Sequence, residues 1–85
     1  MKRIIVQRTQ KDGFLVILEL PGEDYIMLYD GDSTNVDSVV QDCMNTIGHL
    51  AYREFIWFRR HSDDIKGMCQ KLLDTGDFEA ELEVP

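Results

Sequence analysis

Apolar residues in this chain recur with two different periods, and the changeover falls a little before the middle. The segment Arg3 to Thr9 is rich in β-branched residues and predicts a first strand. Lys11-Asp12-Gly13 follows it, and Asp-Gly predicts a turn because both residues tolerate positive φ. Phe14 to Leu20 predicts a second strand, whose nearly unbroken apolar run from Phe14 to Leu18 marks it as central. Pro21-Gly22 ends that strand, since proline cannot donate a ladder hydrogen bond. Asp24 to Tyr29 predicts a third, short strand broken by Asp30-Gly31-Asp32, and the simplest arrangement of the three is a meander.

The period then lengthens to that of a helix. Val36, Val39, Val40, Cys43, Met44 and Ile47 share one face of a 3.6-residue repeat, with Asp37, Ser38, Gln41, Asp42 and Asn45 opposite. Thr34 to Asp37 fits a capping box, and Gly48 predicts the stop. Phe55-Ile56-Trp57-Phe58, the densest aromatic cluster, predicts a fourth strand, while residues 49–53 fit either a helix or a strand. Ser62 predicts the N-cap of a second helix with Ile65, Met68, Cys69, Leu72 and Leu73 on its apolar face and Gly76 at its end. The tail alternates Phe78, Ala80, Leu82 and Val84 with Glu79, Glu81 and Glu83, the pattern of a half-buried strand.

The predicted order is β-β-β-α-β-α-β. It describes an α+β fold: a mainly antiparallel sheet of four to five strands with two helices packed on one face. The basic first strand and the acidic last strand suggest that the two pair, with outward Glu79, Glu81 and Glu83 beside Arg3 and Arg8.

Size and composition narrow what such a fold can do. With 85 residues, 44% hydrophobic and 29% charged, the chain reads as one soluble domain spanning 1–85. A chain of this length buries about 60–65% of its unfolded surface, which leaves no room for a deep enclosed substrate cavity. The longest apolar run is far too short for a membrane span, and Ile4 to Val6 is too short for a signal-peptide core. Two cysteines without a leader predict reduced thiols and a cytoplasmic location.

Candidate chemistry is sparse. The loop Asp30 to Asp37 carries oxygen ligands at alternate positions, as calcium loops do, but Asn35 stands where glycine is needed and Gln41 where a glutamate is needed. A turn and helix cap account for the same residues. Cys43 and Cys69 fall on apolar helix faces, where cysteine acts as a small hydrophobe, and with His49 and His61 they give no zinc spacing. No HExxH, GxSxG, phosphate-loop or dinucleotide pattern occurs. The sequence therefore assigns no catalytic residue, no metal and no cofactor, and reads as a non-enzymatic protein.

Charge is the feature with functional content. From Asp12 through Tyr52 there are eight carboxylates and no lysine or arginine, and the net charge is −7. That field opposes direct binding to nucleic acid or anionic membrane and attracts basic partners. The sequence points to a stoichiometric inhibitor that covers a basic surface of a larger, nucleic-acid-handling protein. Phage-type antagonists offer an analogy of size and charge alone. Its predicted contacts are Glu23, Asp24, Asp30, Asp32, Asp37 and Asp42, with Tyr25 and Tyr29 as the buried anchors that charge does not provide. Two other readings compete with it. One is a structural subunit forming a homodimer or larger homo-oligomer through an open sheet edge or the Phe55–Phe58 segment. The other is a single-strand RNA-binding module centred on Trp57, Arg59 and Arg60.

Overall fold

The three predicted N-terminal strands form where their patterns end them. In a computed structural model that describes residues 2–50 and 52–85, β1 is Lys2–Arg8, β2 is Phe14–Glu19 and β3 is Tyr25–Gly31. The helical periods produce α1 (Val36–Leu50) and α3 (Ser62–Thr75), a further helix, α2 (Tyr52–Arg60), forms between them, and the alternating tail forms β4 (Glu79–Val84). The strands make one antiparallel sheet in the order β3-β2-β1-β4, so the chain's two terminal strands do pair.

The β1–β2 turn depends on a close backbone approach. A Cβ on Gly13 would sit on the carbonyl oxygen of Gly31 across the sheet, so only glycine lets the two chains lie this close. The β2–β3 hairpin turns through Gly22 at φ 82° and Glu23 at φ 65°, two consecutive left-handed residues, the geometry that matches strand twist. A glutamate in that region is strained, because its Cβ crowds the following carbonyl.

The core lies between the sheet and the helices. Ile4, Val6, Phe14, Val16 and Leu18 project from the strands with no exposed surface. They meet Val40, Cys43 and Ile47 of α1, Phe58 of α2, and Ile65 and Cys69 of α3. Each fully buried Ile, Leu, Val or Phe side chain contributes about 1.5–3 kcal/mol relative to exposure, so this single layer supplies most of the driving force for folding.

Several details differ from the sequence expectations. The Phe55–Phe58 segment is helical rather than a strand, which gives three helices, a four-stranded sheet and the order β-β-β-α-α-α-β. Helix suits it because Phe55 and Phe58, three residues apart, both turn inward. In addition, Glu54 and the Arg59-Arg60 pair lie at the ends that the helix dipole favours. Gly48 does not stop α1, which runs to Leu50; it faces the Phe55 ring of α2, and a Cβ there would make an ordinary contact with that ring at 3.4 Å. Finally, α3 begins after His61, which makes no side-chain cap, rather than at a Ser62 N-cap.

The α1 cap falls one residue later than the Thr34 to Asp37 box predicts: Asn35 accepts the Ser38 N–H through Oδ1 at 3.0 Å. Gly76 ends α3 in the left-handed conformation at φ 76°, its N–H donating to the Leu72 carbonyl. No helix among the described residues is long and apolar enough to cross a membrane.

Candidate functional site

The side of the sheet facing away from the helices has no covering layer among the described residues. Strand register builds it in rows. Glu81, Ile5, Ile17 and Met27 lie side by side across the four strands. On one side of that row, Glu83, Arg3, Glu19 and Tyr25 form a second; on the other, Glu79, Gln7, Leu15 and Asp30 form a third. The centre is therefore apolar, and both edges carry carboxylates. Ile5 is nearly covered by its neighbours, while Met27 is 49% and Tyr25 64% exposed.

Arg3 organises one half of this face. Its guanidinium donates through Nε and Nη2 to Glu19 Oε1, at 3.2 and 2.6 Å, and through Nη1 to Glu81 Oε2 at 2.8 Å. Those bonds, Glu19 first, hold the arginine more firmly protonated than usual. Gln7 donates to Glu79 at 2.6 Å in the next row. With Arg3 shared by Glu19 and Glu81, Glu83, Glu23 and Asp24 hold no ion pair among the described residues. They rim a hollow of about 490 Å³ floored by Ile17 and walled by Tyr25 and the Pro21-Gly22 turn.

The structure separates the contacts predicted from sequence. Glu23, Asp24 and Tyr25 lie together at the hollow, and Asp30 shares the same face further along β3, opposite Leu15. Asp32 sits exposed in the β3–α1 loop. Asp37 and Asp42 are on α1, in the helical layer on the other side of the sheet, with Asp37 3.3 Å from Lys66 Nζ.

Tyr29 is not a surface anchor. A bulge at Leu28 shifts the β2–β3 register, so Ile17 faces Met27 while Val16 faces Tyr29. The extra residue turns Tyr29 inward against the core, where its hydroxyl accepts the Ser33 N–H at 3.4 Å. The terminal pairing also needs one amendment. Arg3 meets the acidic strand, but Arg8 has the opposite parity and lies over the Phe14 ring, 4.9 Å from its centroid.

Sequence reasoning missed Met27 and Glu19 as members of this face; it set the β4 glutamates outward beside Arg3 but assigned them no part in the site. The signal was present in the unbroken Phe14–Leu18 run, which makes both sides of β2 apolar although only one is covered. Strict alternation in β1 and β4 then places Ile5 beside Glu81.

The basic and aromatic segment falls on α2. Trp57 is half-buried and stacks on His61 with ring centroids 4.4 Å apart, so the indole is engaged within the protein. Arg59 and Arg60 are exposed and join Tyr52 and Ile56 rather than Trp57. Both cysteines are free and buried, and burial pushes the Cys69 thiol up to about 11 and Cys43 higher still. Neither has the thiolate character that nucleophilic chemistry requires. Among the described residues, no three His, Cys, Asp or Glu side chains converge to hold a metal ion.

No family model matches this chain, and neither does any curated protein or solved structure. The functional reading rests on the face itself.

Proposed function

We propose that this protein is a small non-enzymatic binding module that covers a basic surface on a larger protein, as a stoichiometric antagonist does. The observation that carries the reading is the bare sheet face, with an apolar centre between two acidic edges. An exposed apolar strip rimmed by charge is the form a docking surface takes, because the strip supplies affinity and the rim supplies steering and register. Tyr25 and Met27 are the anchors, and Asp24, Glu83 and Asp30 meet cationic side chains. A nucleic-acid-handling protein fits this role, since its substrate groove presents lysines and arginines to a polyanion.

The test is a tagged pull-down from cells, washed at low and then at high salt. The reading expects a larger basic protein in stoichiometric amount, released by the high-salt wash. Recovery of acidic or neutral proteins that resist salt contradicts it.

A further inference from the structure

The outward side of α2 has the opposite character to the bare sheet face. Tyr52 at 70% and Ile56 at 39% exposure form a short apolar ridge. Arg59 and Arg60 join them around a hollow of about 450 Å³. Arg53 is exposed on the same helix. Among the described residues, none of these three arginines forms an ion pair, whereas Lys2, Arg3 and Lys66 all do. A chain of net charge −7 thus keeps three uncompensated cations on a single helix.

This surface is the chemical complement of one the same chain carries. The bare face offers Met27 and Tyr25 for apolar contact, with Asp24 and Glu83 unpaired beside them. Within one molecule the two cannot meet. The helix packs against α1 and α3, in the layer on the far side of the sheet.

We propose that α2 of one copy docks on the bare sheet face of a second copy. Tyr52 and Ile56 rest on Met27 and Tyr25, and Arg59 and Arg60 reach Asp24 and Glu83. The two surfaces differ, so the contact is heterologous: a pair keeps one surface of each kind free, α2 on one copy and the sheet face on the other, and growth is head to tail. The like net charge of the copies opposes this contact at long range, so association appears at high protein concentration. It is independent of the partner reading but uses the same face, so the partner and a second copy exclude each other.

Sedimentation of the full chain from micromolar to millimolar concentration tests this. The wild type is expected to rise beyond twice the monomer mass. The variant Arg59→Glu/Arg60→Glu and the variant Tyr25→Ala/Met27→Ala, each with a wild-type melting profile, stay monomeric alone. Their equimolar mixture reaches about twofold the monomer mass and stops there, because each contributes one intact surface. A wild type that stays monomeric, an α2 variant that still assembles, or a mixture that fails to pair overturns the proposal. Partner capture by the Arg59→Glu/Arg60→Glu variant reports on the other reading separately, since that variant keeps its sheet face.

Discussion

The two faces of the sheet are made by the same strands, residue by alternate residue, and they have different fates. On one face Ile4, Val6, Val16 and Leu18 are sealed beneath three helices. On the other, Ile5, Leu15 and Ile17 lie among charged neighbours with no layer above them among the described residues. The covered face holds the fold together, and its side chains have no surface left for a partner. The uncovered face contributes less to stability and holds the groups that can recognise something. In so small a chain there is one core, and the second apolar surface is the one the binding proposal uses.

Breaking the covered face should have the largest effect. Phe58→Ala is expected to cost about 3–5 kcal/mol, most of what a small domain has. Ile17→Ala on the bare face should cost roughly 1 kcal/mol, since that side chain is already partly in water. Denaturant unfolding of the two variants measures the contrast directly.

The next effect belongs to binding. Tyr25→Ala/Met27→Ala should leave the unfolding midpoint nearly unchanged while weakening partner capture by about 2 kcal/mol or more, the size expected for central anchors. Equal losses of stability and binding would erase the distinction between the faces.

The Lys2–Glu54 pair, 2.8 Å long, ties β1 to α2 on the covered side and gives a pH test. The hydrogen bond from Lys2 holds the Glu54 carboxyl below its ordinary value near 4.5. Its stabilisation is therefore present above that pH and is lost as pH falls through the lowered folded value. Glu54→Gln should melt lower than wild type at pH 7, and the gap should close in acid. On the bare face, the Arg3 pairs should respond to added salt instead.

The smallest effect expected is at Glu23. Its backbone is left-handed, so Glu23→Gly should relieve strain and raise stability by a few tenths of a kcal/mol, after the added freedom of the unfolded chain is counted. The same change removes a carboxylate from the hollow and should weaken capture of a basic partner. A thermal melt and a binding titration on one sample check both signs.

Most of the fold was legible in the sequence because periodicity reports which side of an element is buried. The Val36–Ile47 and Ile65–Leu73 repeats and the Ala80–Val84 alternation each correspond to an element in the structure, whereas Phe78, expected on the buried face, precedes β4 and is 66% exposed. Four consecutive aliphatic and aromatic residues at Phe55–Phe58 misled for a physical reason: β-propensity measures fit to a half-buried pleat, and packing against α1 supplied a better fit to a helix. The candidate face was half legible. Charge drew attention to Glu23, Asp24, Tyr25 and Asp30. The bulge that turned Tyr29 inward has no sequence marker, and the β4 glutamates join the face only through pairing with β1.

The most direct test of the central claim is the affinity of the captured basic partner for two variants measured side by side. One changes the bare sheet face, Tyr25→Ala/Met27→Ala; the other changes the helical layer, Asp37→Lys/Asp42→Lys. Binding should fall at least tenfold for the sheet-face variant, as about 1.4 kcal/mol or more requires, and change little for the α1 variant. Undiminished binding by the sheet-face variant, with loss on changing α1, would contradict the account and move the interface to the helices.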